Sequence, residues 1–345
     1  MSKQKVNFGL AAQFCSIKEM LKLAKCGDEH GFKSFWVGED CYWRGAFTVA
    51  ATIAAHTTNI QVGLGIVNPH TRHPVLIAME TAALAEAAGS ERVILAIGAS
   101  FKAWIENQLN ISYGKPRICL RETLEIIRAM FKGEAVQYDG QHFKLNGAQL
   151  SVSPLPEIPQ LYLGVEGPMN LELAGQIADG VLLSAFSSDK YLRFAFDHIK
   201  KGAARKDRNL ENFDAQNYIV ISTDEDRDKA RNAIKPFLGA AIGVYDPIVP
   251  NENRIMSSVM EPGEKQMIVD AFVRGEDLVP LISDDIVDGL AVAGTPHECQ
   301  EKMQAILDIG VMTPIALEVP GVDLMAMIPK IKKYLSTEAL KRGHY

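Results

Sequence analysis

The chain has 345 residues, 47% hydrophobic and 23% charged, enough for one large α/β domain or two ordinary ones around a sizeable core. A formal net charge of −6 leaves no basic footprint, which argues against nucleic acid or an anionic membrane as partner without excluding local phosphate binding by backbone amides. The cysteines Cys15, Cys26, Cys41, Cys119 and Cys299 are odd in number, scattered and free of any CxxC pair, so a reduced, cytoplasmic chain with no metal site is expected. MSKQKVNFGL carries no signal-peptide apolar core, and no apolar run approaches the ~18 residues of a membrane span.

Short apolar runs alternate with amphipathic segments from the start. Val6–Ala12 reads as a buried strand, Ile17–His30 as an amphipathic helix ended by Gly31, Ser34–Val37 as a short strand and Ala46–His56 as an alanine-rich helix. Ile60–Val67 is the third strand, Pro74–Ala88 the third helix with its proline in the first turn, and Arg92–Ile97 the fourth strand, closed by Gly98-Ala99-Ser100. The repeat then breaks. An irregular loop is expected over 101–118, a helix over Cys119–Lys132, and a β-hairpin from Val136–Tyr138 and His142–Lys144 joined at Asp139-Gly140. Pro154, Pro156 and Pro159 mark the return to the core. Gln160–Gly164 is the fifth strand, Met169–Ile177 a helix, Gly180–Leu183 the sixth strand, Leu192–Ala204 a helix, and Asp214–Ser222 the seventh strand with a helix from Asp224 onward. Residues 239–293 hold short helical pieces and no evident strand. Thr295-Pro296-His297-Glu298 is a capping box with proline at the first helical position, opening a helix to Ile309. Pro314–Val319 is the eighth strand, and a last helix ends at Leu335.

Eight strands each followed by helical material point to a (β/α)8 barrel, a TIM barrel, spanning 1–345 as one domain with insertions at about 101–155 and 239–293. A doubly wound open sheet is the runner-up, weakened because no GxGxxG follows the first strand. In a barrel the active site lies at the strand C-termini. That gathers Ala11 to Gln13, Gly38 to Asp40, Asn68 to Arg72, Gly98 to Lys102, Gly164 to Gly167, Ser184 and Glu318.

Three constellations on that face carry chemistry. Gly63 and Gly65 in the third strand leave room for a backbone or a flat ligand, and Asn68, His70, Thr71, Arg72 and His73 follow on one loop, which is either a binding loop or a well-capped strand-to-helix connection. Gly164-Val165-Glu166-Gly167-Pro168-Met169 is a glycine-rich turn into a helix; its free amides suit a phosphate, and a plain tight βα turn is the alternative. Gly38-Glu39-Asp40, followed by Tyr42 and Trp43, offers either a general acid beside a planar cofactor or an N-cap acid with aromatic packing. His70 is a candidate proton carrier or a paired loop histidine. GxSxG, HExxH and Walker A sequences are lacking, so hydrolase and kinase readings fall away.

FWVGED at 35–40, VGLGIVNPHTRHP at 62–74, ERVILAIG at 91–98, YLGVEGPMNLELAGQIADGVLLS at 162–184 and AGTPHE at 293–298 together resemble the bacterial-luciferase-like superfamily of flavin and deazaflavin barrels. Within it the chain is most similar to the coenzyme F420-dependent methylenetetrahydromethanopterin reductases, in the same order from about residue 6 to 335. The resemblance implies a ring lying over the strand C-termini against a non-prolyl cis peptide at Gly65-Ile66. It implies further cofactor contacts from Asn68, Thr71 and Gly98, and a phosphate turn formed by Gly164, Val165, Glu166, Gly167 and Met169. The implied reaction is hydride transfer between reduced deazaflavin and a small organic substrate such as a pterin-bound one-carbon unit. Three positions depart from the family: Ala11 and Ala99-Ser100-Phe101 stand where it carries acids, and Glu39-Asp40 where it carries Asp-His. Glu39, Asp40 and His70 are therefore the catalytic candidates, and Phe101 and Trp104 make the mouth more apolar. The alternatives are an FMN-dependent monooxygenase, an NADH-dependent methylenetetrahydrofolate reductase without flavin, and a non-catalytic flavin- or deazaflavin-binding barrel. A homo-oligomer, dimer or tetramer, is expected through the small-residue surface of Ala46–Ala55, with intramolecular packing as the alternative use of that surface.

Overall fold

Wholly apolar runs such as Phe35-Trp36-Val37 and Val93–Ile97 suit a parallel sheet covered on both faces, and in the computed structural model every residue of both strands is buried. The structure describes residues 7–40, 42–152, 155–248 and 258–335. In chain order the elements are β1 (Gly9–Ala11), α1 (Ile17–Glu29), β2 (Ser34–Val37), α2 (Ala46–Ala54), β3 (Gln61–Val67), α3 (Pro74–Ala88) and β4 (Val93–Ile97). After them come α4 (Pro116–Phe131), β5 (Val136–Asp139), β6 (Lys144–Ala148), β7 (Gln160–Gly164), α5 (Pro168–Ile177), β8 (Gly180–Leu183), α6 (Asp189–Ala204) and β9 (Asp214–Ile219). The last are β10 (Ile221–Thr223), α7 (Arg227–Ile248), α8 (Pro262–Arg274), α9 (Asp284–Leu290), β11 (Val292–Gly294), α10 (Pro296–Ile309), β12 (Thr313–Leu317) and α11 (Leu324–Leu335). Eight strands close into a barrel in the order β1-β12-β9-β8-β7-β4-β3-β2, the expected (β/α)8 fold.

By internal contacts the chain forms two compact units, Cys15–Leu182 with Asp197–Asp214, and Met1–Phe14 with Leu183–Phe196 and Ala215–Tyr345. In the first, β2, β3, β4 and β7 pair in parallel as successive neighbours. Their core centres on Trp36, fully buried, whose indole N–H donates to Ser34 Oγ at 3.1 Å. At the N-terminal ends of these strands, Asp214 Oδ2 accepts from the Tyr162 hydroxyl (2.6 Å) and from Lys33 Nζ (2.7 Å). In the second unit, β12 pairs with both β1 and β9. There Thr295 and Glu298 form the expected capping box at the start of α10.

Four expectations are corrected. The run 214–222 is two strands interrupted at Val220, because β10 leaves the β9 pairing and joins β11 in parallel, Ile221 opposite Val292 and Thr223 opposite Gly294. β11 is itself a strand that begins within 239–293, where none was evident, and ends at Gly294; at three residues it is too short to show periodicity. The hairpin turn is Gly140–Phe143 and not Asp139-Gly140, since β5 runs through Asp139. The stretch expected as irregular loop also contains a π-helical turn, Ala103–Gln108. Among the described residues, no helix is long and apolar enough to cross a membrane. Cys41 and Pro154 lie outside the described residues.

Candidate active site

The glycines of β3 shape the floor of the site. A Cβ on Gly63 would stand 2.2 Å from Trp36 Cδ2, and one on Gly65 would stand 2.4 Å from Leu182 Cδ2 and 2.7 Å from Trp36 Cε3. The indole of Trp36 and the Leu182 side chain therefore fill the space that the sequence offered to a ligand. Just beyond, the pairing with β4 slips: Gly65 faces Ala96 and Val67 faces Ile97, so Ile66 is the extra residue of a β-bulge. The Gly65-Ile66 peptide is cis, as the resemblance implied. The Ile66 side chain lies across the ends of β4 and β7, the next two strands of the sheet. A Cβ on Gly98 would come within 2.4 Å of Ile66 Cδ1, and one on Gly164 within 2.2 Å of Ile66 Cγ2. Gly98 and Gly164 are thus the cradle of a side chain.

The loop after β3 is held by its own polar groups. Asn68, 2% exposed, accepts through Oδ1 from the Thr71 N–H and the Thr71 hydroxyl, both at 3.0 Å, an Asx turn. His73 Nδ1 accepts from the Val75 N–H at 3.2 Å and caps α3, with Pro74 in its first turn. Arg72 grips Glu39 with two groups, Nε to Oε2 at 2.9 Å and Nη2 to Oε1 at 2.9 Å, and reaches Glu80 Oε2 with Nη1 at 2.9 Å. Its guanidinium lies 5.3 Å over the Phe47 ring. The Glu39 carboxylate hydrogen-bonded to it holds Arg72 above its usual range. Glu39 therefore joins the β2 loop to α3 through an ion pair, and both its oxygens are engaged.

His70 is different. It stacks on Tyr113 (centroids 4.7 Å apart, planes at 23°), and the Tyr113 hydroxyl donates to the Ser100 carbonyl at 2.9 Å. Burial, with His142 nearby, pushes His70 down to about 4, so at neutral pH it is an uncharged imidazole. Its Nε2 is buried and meets no hydrogen-bond partner. His142 comes from the hairpin, whose turn is organised by Glu122 of α4. That carboxylate accepts the N–H groups of Gln141 (2.8 Å), His142 (3.0 Å) and Phe143 (3.1 Å). Phe143 then meets the His73 ring edge-on at 5.3 Å, bringing the hairpin turn onto the β3 loop.

After β4, Phe101 and Trp104 pack edge-to-face at 4.9 Å beside the π-helical turn, and Ser100 takes a left-handed φ of 59°. After β7, Val165 is buried and Glu166 exposed. Gly167 is the N-cap of α5, no side chain caps that end, and nothing lies within 4 Å of where a Gly167 Cβ would stand. Met169, in the first turn, is 63% exposed. Because β2, β3, β4 and β7 are adjacent, the structure brings Glu39, Asp40, Gly65 to Arg72, Gly98 and Gly164 to Met169 to one end of one sheet. In the other unit, Glu318 Oε2 accepts from the Phe14 N–H (2.8 Å), and the Ser184 carbonyl accepts from Asn217 Nδ2 (2.7 Å). Sequence reasoning missed Trp36, Glu80, Tyr113 and Glu122. Only Glu122 left a signal: a carboxylate on the apolar face of α4, between Cys119 and Ile126, and buried there.

The luciferase-like monooxygenase family model matches residues 4–313, and the chain belongs to this family. It is 31% identical over 317 residues to the 5,10-methylenetetrahydromethanopterin reductase of Archaeoglobus fulgidus, covering 91% of this chain and 94% of the relative. To the F420-dependent glucose-6-phosphate dehydrogenase of Nakamurella multipartita it is 25% identical over 338 residues, covering 94% and 93%. Among solved structures it superposes on the coenzyme F420-dependent tetrahydromethanopterin reductase of Methanopyrus kandleri with a TM-score of 0.85 and 26% identity, covering 96% of this chain and 98% of that one.

Proposed function

We infer that the chain is an F420-dependent oxidoreductase that transfers hydride between reduced deazaflavin and a small organic substrate, in the manner of the methylenetetrahydromethanopterin reductases. The observation that carries this reading is the end-to-end likeness to the Archaeoglobus fulgidus reductase, 31% identical across 91% of this chain. The residues present fit the cofactor. The uncapped start of α5 beside the open space at Gly167 suits a phosphate. The unpartnered Nε2 of His70 is a buried polar atom that calls for an acceptor or donor from outside the protein. When bound, reduced F420 supplies the hydride. Ile66, fixed between Gly98 and Gly164, presents a rigid apolar surface to one face of a flat ring. Gly164, Val165, Glu166, Gly167 and Met169 form the turn that receives the phosphate, while Asn68 and Thr71 keep the β3 loop in shape. His70, neutral, exchanges a hydrogen bond with cofactor or substrate instead of carrying a charge. Asp40 handles a proton or holds substrate, and Glu39 positions Arg72.

The proposal extends to a single barrel domain in the cytoplasm, with 101–155 and 239–293 as insertions. It also extends to a homo-oligomer, supported not by the Ala46–Ala55 surface, where Ala46, Ala50 and Ala54 are buried within the chain, but by the exposed Leu76 and Met79, 46% and 49% exposed and one turn apart on α3. Anaerobic incubation with reduced F420 and methylenetetrahydromethanopterin tests the function. Growth of the oxidised-deazaflavin absorbance supports it; turnover only with FMN and oxygen, or only with NADH, overturns it.

A further inference from the structure

Gly164 closes β7 at the end just described. At the other end, where Gln160 opens the strand, lies a cavity of about 560 Å³ that the proposed reaction does not use. Its size is that of a small-molecule site. Arg128, Asp179, Arg208, Asn209, Asn212 and Phe213 form most of its wall.

The charges there are unevenly matched. Arg128 is engaged: Nη2 lies 2.8 Å from Asp179 Oδ1, and Nη1 donates to the Ile177 carbonyl at 2.9 Å. Asp179 Oδ2 in turn accepts the Leu161 N–H at 2.9 Å. Arg208 is not. Among the described residues its one acceptor is the Gly175 carbonyl at 3.4 Å, and no carboxylate lies within ion-pair distance of it. The guanidinium rests 6.0 Å over the Phe213 ring. Burial lowers it from its ordinary range, with the Asp179 carboxylate opposing and the neighbouring Arg128 adding to it, yet an arginine stays charged. A half-buried cation with open N–H groups calls for an anion.

The Asn209 amide agrees: its Oδ1 accepts the Glu211 N–H (2.7 Å), leaving its NH2 group as the donor it offers. Glu211, exposed, is the one carboxylate of the wall besides Asp179. We propose that this cavity binds a small organic oxyanion, its phosphate or carboxylate held by Arg208 and by the amide donor of Asn209. The site lies at the opposite end of β7 from the catalytic loops, so its ligand does not compete with substrate.

Calorimetric titration of the F420-loaded protein with inorganic phosphate and, separately, with benzoate tests this, since the loaded cofactor occupies the phosphate turn of α5. The proposal expects saturable binding of at least one of the two. It expects Arg208→Gln to weaken that binding at least about tenfold, Arg208→Lys to weaken it less, and hydride transfer without added anion to stay unchanged in both. Asn209→Asp, which sets a carboxylate at the mouth without touching Arg208, should also abolish binding. Failure of both anions to bind up to about 10 mM, or equal binding by wild type and Arg208→Gln, overturns it.

Discussion

Gly164→Ala probes the cradle under Ile66. The new Cβ would stand 2.2 Å from Ile66 Cγ2, where carbon–carbon contacts settle at about 3.5–4.0 Å, so Ile66 must move by more than about 1 Å. Overpacking of this kind costs about 1–3 kcal/mol of stability. The same displacement tilts the surface offered to the ring, so F420 affinity should fall about tenfold, about 1.4 kcal/mol. Ile66→Ala removes the clashing methyl. In a double-mutant cycle the pair should couple by about 1 kcal/mol or more, the double variant recovering part of both losses. Gly98→Ala should be rescued less well, because its Cβ would also meet the Gly164 carbonyl oxygen at 2.9 Å, which trimming Ile66 leaves in place. Urea unfolding reads the stability and quenching of deazaflavin fluorescence reads the affinity. Gly164→Ala with wild-type affinity and midpoint, or additive losses in the cycle, would refute the cradle.

Arg72→Lys keeps the charge but cannot reproduce contacts to Glu39 and Glu80 from a planar fork; about 1–2 kcal/mol should be lost in urea unfolding, and an unchanged midpoint would contradict the clamp. His70 sits at about 4 in the folded chain against 6.5 ordinarily, so the unfolded chain takes up its proton first on acidification. Stability should therefore rise with pH between about 4 and 6.5 and level off above. The contribution is about 2 kcal/mol after discounting for the exposed part of the ring, and His70→Gln should flatten that limb. Glu122→Gln weakens the acceptor of three backbone N–H groups and should cost about 2 kcal/mol, with faster amide exchange at Gln141, His142 and Phe143 as its signature. Unaltered exchange there would mean the hairpin turn stands without it.

What the sequence made legible follows the range of each interaction. β2, α3, β7 and β8 match the reading residue for residue, because their apolar runs and the proline opening α3 are local signals. The break at Val220 was hidden because Ile219, Val220 and Ile221 are all buried, and continuous apolar sequence does not reveal a change of pairing partner. The site was legible as a set of strand ends but not as a set of contacts. Gly63 and Gly65 signalled close approach correctly, yet the approaching group is Trp36, 27 and 29 residues earlier in the chain. Arg72 was visible on its loop, whereas its pairing with Glu39 depends on β2 and β3 being neighbours.

The central claim is that this chain moves hydride to or from F420. The most direct test mixes the purified protein anaerobically with reduced F420 deuterated at C5 and with methylenetetrahydromethanopterin, and follows both the deazaflavin absorbance and the label. The account predicts oxidation of the cofactor with deuterium appearing in the reduced one-carbon group. Cofactor that binds but stays reduced with every substrate offered, or product that forms without the label, would contradict it.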